Sequence, residues 1–177
     1  MPTLTVNVNT ISGDTTSFNV NSTTVLSRAS DGDTGTTFSN NVGNVSLTFG
    51  LQDLTDLDTL PAGATLNSIR PVAFTGTGGK GSCNFSIELL NSDDEALTST
   101  DGSSSEPEQS ETLGDVTDIS SFSSDAFNGL QIKFNTLDST LVVTSRIFAT
   151  LDYSVSGNGL IKHTSGFLKL RQGKITL

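Results

Sequence analysis

Cys83-Asn84-Phe85-Ser86-Ile87-Glu88-Leu89 decides the fold class, because four apolar side chains alternate there with three polar ones. A two-residue period puts each set on its own face of an extended strand. The alternation recurs upstream in Leu4, Val6, Val8 and in Val45, Leu47, Phe49, Leu51, and residues 65–75 are apolar at Leu66, Ile69, Val72 and Phe74. Downstream it returns in Leu130, Ile132, Phe134 and in a long run over residues 140–155 with Val142, Ile147, Ala149, Leu151, Tyr153 and Val155. The pattern slips near Thr144-Ser145, which predicts a bulge. Helical spacing is almost absent, and residues 121–128 allow a single helical turn at most. Asp31-Gly32-Asp33-Thr34-Gly35, Pro61-Ala62-Gly63-Ala64 and the glycines from Gly76 to Gly81 supply turn chemistry. Seven or eight short strands between residues 42 and 155 predict an all-β chain. The expected architecture is a jelly-roll-like two-sheet β-sandwich.

Arms are expected outside that sandwich: residues 1–42 as an N-terminal arm with edge strands, 43–156 as the sandwich, and 157–177 as a basic C-terminal arm. Residues 3–20 read as a hairpin whose Leu4, Val6 and Val8 share an apolar face. A hairpin of that size cannot bury such a face alone. Charge separates the other end, since residues 159–177 hold Lys162, Lys169, Arg171 and Lys174 and no acid, on a chain of net charge -10. The tail is also apolar through Leu160, Ile161, Phe167, Leu168 and Leu170, which a solvated tail would lack. Protein-interaction residues are therefore expected at Leu4, Val6 and Val8, and at Leu160, Ile161, Phe167, Leu168, Lys169, Leu170, Arg171 and Lys174. Leu168 and Leu170 fall on one side of an extended tail strand, which would dock on a sheet.

Composition narrows the function. The chain has 177 residues, 33% hydrophobic and 16% charged, with 9 Lys+Arg against 19 Asp+Glu. Nucleic acid is not an expected partner, because phosphate neutralisation needs a basic surface. No apolar run approaches the roughly 18 residues of a membrane span. The start, Met1-Pro2-Thr3-Leu4-Thr5-Val6, has no basic or apolar region of a signal peptide, so none is expected. One Cys, one His and no Trp leave little catalytic material. No enzyme activity, cofactor or metal is expected.

The candidate motifs weaken on inspection. Gly76-Thr77-Gly78-Gly79-Lys80-Gly81 satisfies G-x-G-x-x-G, but a strand follows it where a phosphate site needs a helix. Asp31 and Asp33 imitate the start of a calcium loop whose twelfth position is Val42 rather than an acid, leaving a weak calcium site beside the plainer Asx turn. The acidic residues from Asp93 to Asp118 read as an exposed loop, Cys83 as a packing thiol, and His163 as an arm residue.

Thr65-Leu66-Asn67-Ser68-Ile69-Arg70, Phe85-Ser86-Ile87-Glu88-Leu89-Leu90, Phe127-Asn128-Gly129-Leu130-Gln131-Ile132-Lys133-Phe134 and Ile147-Phe148-Ala149-Thr150-Leu151-Asp152-Tyr153 together resemble the jelly-roll domains of tailed-bacteriophage virion proteins. The resemblance spans roughly residues 43–155. It implies a structural role in the virion, as a capsid decoration or cement protein made in the host cytoplasm, and carries no functional residues across. Its implied partners are further copies in a homodimer or homotrimer, and the major capsid protein, cross-linked through the arms. The alternative expectation is a carbohydrate- or receptor-binding fibre or tail module. Glycan is a partner only under that alternative.

Overall fold

The computed structural model of the chain describes residues 2–20, 24–33, 37–40, 42–78, 81–105, 110–155, 161–163 and 166–168. Among them the alternating stretches become strands β1 (Thr3–Gly13), β2 (Asn19–Val20), β3 (Phe38–Asn40), β4 (Val45–Leu51), β5 (Ala64–Thr77) and β6 (Cys83–Leu90). The chain continues through β7 (Ala96–Ser104), β8 (Ser110–Leu113), β9 (Thr117–Asp118), β10 (Gln131–Thr136) and β11 (Val142–Val155) to the short strands β12 (Ile161–His163) and β13 (Gly166–Leu168). Two short helices, α1 (Val25–Ser30) and α2 (Ser124–Asn128), sit in the connections. Each starts at a hydroxyl cap: Thr24 Oγ1 accepts from the Ser27 N–H, and Ser123 Oγ from the Ala126 N–H, both at 3.2 Å.

The strands form an antiparallel two-sheet sandwich, as the alternation predicts. The first sheet centres on β5 and β11, paired from Val142 opposite Thr77 to Val155 opposite Ala64. β8 and β9 flank β5, while β3 and the first half of β1 flank β11. The second sheet runs β1–β4–β10–β6–β7. Strand β1 belongs to both: residues 3–7 pair with β11 and residues 8–13 with β4. The register slips between Val8 and Thr10, making Asn9 the extra residue of a bulge that turns the strand from one sheet into the other. The slip predicted in β11 is present between Thr144 and Arg146.

Between the sheets lies a continuous core that includes Phe38, Phe49, Phe85, Phe127 and Phe134, all fully buried. Phe85 stacks on Phe134 with ring centroids 5.6 Å apart, and Phe18 meets Phe38 edge-on at 5.8 Å. Burying a side chain of this size stabilises by about 1.5–3 kcal/mol. The outer face of the second sheet is a polar ladder. Ser46 Oγ donates to Asn135 Oδ1 at 2.5 Å, and Asn135 Nδ2 donates to Ser86 Oγ at 2.8 Å and Glu88 Oε1 at 3.0 Å. Lys133 closes the row on Glu88 at 3.5 Å.

Four sequence expectations are corrected here. Residues 3–20 are not a hairpin arm, because β2 pairs with β3 rather than with β1. Val6 (0% exposed) and Val8 (3%) lie in the core, and Leu4 packs against it, so the chain's own sheets cover the face assigned to a neighbouring subunit. The sandwich consequently begins at β1, not near residue 43. The acidic stretch after Asn91 is largely strand, with β7 paired along β6 from Ala96 opposite Leu90 to Ser104 opposite Cys83. In the tail, β12 and β13 pair with each other, Ile161 opposite Leu168, and Leu170 of the expected docking face lies outside the described residues.

Two outcomes follow from these placements. Val6→Ala should cost about 2 kcal/mol, and removal of residues 1–13 should abolish cooperative unfolding, both read by chemical denaturation. The second concerns Asp138, whose carboxylate ties the β10–β11 turn to the start of β6. Burial raises its pKa, but hydrogen bonds from the Thr140 and Asn84 N–H groups and from the Asn84 side chain outweigh that and hold it below 3.8. A depressed folded pKa gives stability present above the unfolded value and lost as pH falls through the folded one. Asp138→Asn should therefore lower the melting temperature at neutral pH and shrink its decline below pH 3.8.

Candidate functional site

One end of the sandwich gathers the 52–63 connection, the 91–95 turn and the 119–130 connection around the bulge of β1. Gln52 pins the first of these: its Oε1 accepts from the Asn7 N–H at 3.1 Å, and its own N–H donates to the Asn7 carbonyl at 2.9 Å. Asn91 orders the turn, its Oδ1 accepting from the N–H groups of Asp93 and Glu95 at 2.9 Å each. Asn128, at the end of α2, reaches across to accept from the Leu54 N–H at 2.9 Å. Gln131 Nε2 donates to Asp94 Oδ1 at 3.1 Å and to the Asn91 carbonyl at 3.4 Å.

These contacts frame a cleft of about 360 Å³ lined by Asn9, Thr10, Asp53, Ser92, Asn128 and Gln131 over Gly50 and Gly129. The two glycines are sterically required. A Cβ on Gly129 would stand 2.6 Å from Ser92 Cβ, and one on Gly50 would run into the Thr10 hydroxyl. The lining is amide, hydroxyl and one carboxylate, with no His, Cys, Lys or Arg to activate the hydroxyls of Thr10 and Ser92. Such a surface can donate and accept hydrogen bonds in several directions. The Asn9 and Asp53 side chains make no hydrogen bond to the described residues, so the fold does not consume them. Beside the cleft, across the Leu54–Asn128 contact, lies a second depression of about 320 Å³ where Leu60, Leu66 and Phe122 stand among Thr65, Ser120 and Ser124.

The residues singled out by sequence are elsewhere. Leu4, Val6 and Val8 are structural, which removes the N-terminal half of the cross-linking mechanism. Ile161, Phe167 and Leu168 fall in the tail hairpin, while Leu160, Lys169, Leu170, Arg171 and Lys174 lie outside the described residues. Asp31 Oδ1 accepts from the Asp33 N–H at 2.9 Å, an Asx turn, and the described residues contain no group of three or more metal-ligating side chains. Cys83 is buried, its thiol pKa raised by desolvation and its Sγ 3.6 Å from the Gly76 carbonyl. Gly79 and Lys80 of the glycine loop lie outside the described residues. The cleft residues have no shared motif in the sequence, because Asn9 lies in the bulge of β1 while Asp53, Ser92 and Asn128 belong to three separate connections. The signal available was Gly50 at the close of an otherwise branched and aromatic strand.

No protein-family model and no curated protein matches the sequence. Among solved structures, the chain is similar to truncated AlyQ with CBM32 and alginate lyase domains, at 12% identity and a TM-score of 0.50, over 89% of this chain and 35% of that one. It is also similar to the CBM32 of AlyQ in complex with 4,5-unsaturated mannuronic acid, at 13% identity and a TM-score of 0.49, over 82% of this chain and 97% of that one. The chain spans about a third of the length of the first. At such identity the first likeness shows a shared sandwich fold.

Because Gly129 admits the Ser92 turn, Gly129→Ala should displace that turn and cost about 1–3 kcal/mol. Denaturant unfolding gives the loss, and amide shifts confined to residues 91–95 and 124–131 would locate it.

Proposed function

We propose that the chain is a non-catalytic carbohydrate-binding module whose end cleft holds a sugar through hydrogen bonds. The observation that carries this reading is the cleft lining: two planar amides at Asn128 and Gln131, a third at Asn9, and the Asp53 carboxylate, converging on a floor opened by Gly50 and Gly129. Sugar hydroxyls both donate and accept, and amides and carboxylates answer both needs at fixed geometry. The neighbouring wall of Phe122, Leu60 and Leu66 offers an apolar surface to the C–H face of a ring. Binding sites of this kind sit on loops held by a rigid scaffold, as these are. The sandwich shared with a chain that carries CBM32 and alginate lyase domains supplies a compatible frame.

Asp53 and Asn9 give the cleanest test, since neither side chain supports the fold. Asp53→Ala and Asn9→Ala should each weaken glycan affinity about tenfold, the worth of one hydrogen bond to or from a buried polar group. The melting temperature should stay unchanged. The measurements are a broad glycan array followed by calorimetric titration of the best ligand. An array with no saturable binder, or affinity indifferent to both substitutions, would overturn the assignment.

A further inference from the structure

Far from the cleft residues in sequence, the β5 edge of the first sheet is interrupted. Leu113 of β8 stands opposite Val72, and Thr117 of β9 opposite Ile69, but between them no ladder pairing runs along this edge at Arg70. Pro71 causes the break. Its carbonyl accepts from the Gly114 N–H at 2.8 Å, so its nitrogen faces the same neighbour, and that nitrogen has no proton to donate. Gly114 fits the gap because a Cβ there would lie 2.6 Å from Pro71 Cγ.

The break opens a groove of about 310 Å³ on the outer face of the sheet, with Arg70 in its lining. Arg70 lies opposite Thr150 of β11. Its Nε is buried and has no hydrogen-bond partner, and no carboxylate of the described residues lies within ion-pair distance of the guanidinium. Asp152, in the same lining, accepts instead from two hydroxyls: Oδ1 from Thr3 at 3.0 Å and Oδ2 from Ser68 at 3.2 Å. The groove is lipped by Leu113 and Val116, 47% and 50% exposed, two of the few large apolar side chains left to water among the described residues.

We infer that this groove is a second glycan site, specific for a sugar that carries a carboxylate, such as a hexuronate unit. A carboxylate meets the guanidinium fork in a bidentate pair and satisfies the orphaned Nε–H. Ring hydroxyls then meet Asp152 and Thr150, while the C–H face lies on Leu113 and Val116. A neutral sugar leaves the Nε–H unpaired. Asp115, Asp118, Asp152 and Glu111 also flank this edge, so the site takes one carboxylate seated on Arg70 rather than a dense polyanion. That the carboxylate is borne by a sugar rests on the reading of the end cleft.

The test uses the full chain titrated with trigalacturonate and with its neutral galactose counterpart, followed through the Arg70 Nε–H resonance and by calorimetry. The expected result is a saturable shift of that resonance with the uronate alone. Arg70→Gln should weaken uronate affinity at least about tenfold, the scale of a charge-assisted pair, while Asp53→Ala leaves it unchanged. Uronate binding lost in Asp53→Ala and kept in Arg70→Gln would overturn the second site and leave the end cleft standing. An unmoved Arg70 resonance, with neutral glycans still bound at the cleft, would do the same and mean that solvent alone satisfies the Nε–H. If no glycan of either kind binds, both assignments fall together.

Discussion

Strand β1 serves two sheets at once, and the rest of the molecule is arranged around that fact. Asn7 pairs opposite Phe148 in the first sheet, and Val8, the next residue, pairs opposite Leu51 in the second. A strand can change partners so abruptly only if its backbone turns, and the extra residue Asn9 supplies the turn. Gln52 brackets the crossing with two hydrogen bonds to Asn7. Val6 and Val8, on either side of it, then lie between the sheets with 0% and 3% exposure. The same bulge places Asn9 and Thr10 at the rim of the end cleft, so a device that joins the sheets also supplies part of the site.

The polar groups divide according to whether the fold uses them. Asn91 is spent on the Asp93 and Glu95 N–H groups and on the Glu95 carboxylate, and Asn135 on Ser46, Ser86 and Glu88. Those residues make turns and ladders. Asn9 and Asp53 make no such contacts with the described residues, and Arg70 keeps a buried Nε–H without a partner. At the buried Arg70 Nε–H the desolvation cost is already met, whereas Asn9 and Asp53 still exchange hydrogen bonds with water.

The end cleft and the sheet-face groove arise from departures from regular β structure. The cleft owes its shape to an added residue at Asn9 and to missing side chains at Gly50 and Gly129. The sheet-face groove owes its opening to a missing donor at Pro71. Where pairing is regular, as across β4, β10 and β6, the outer face is closed by its own ladder of hydrogen bonds. Irregularity, more than residue class, sets where the surface of this sandwich is open.

Alternation by itself determined that the chain is all-β, which side chains of β4, β6 and β10 face inward, and that β11 carries a bulge near Ser145. These are local properties, because the side-chain direction of a strand follows from its own two-residue period. What tertiary structure decided is pairing. Leu4, Val6 and Val8 show the same alternation whether their strand is a free arm or the central seam of a sandwich. The partners that settle the matter lie about 40 residues away at Leu51 and more than 140 away at Leu151. The end cleft was hidden for the same reason, since Asn9, Asp53, Ser92 and Asn128 become neighbours only when three connections meet at one end of the sheets. Period is written along the chain, whereas register and proximity are set by the free energy of burying two sheets against each other.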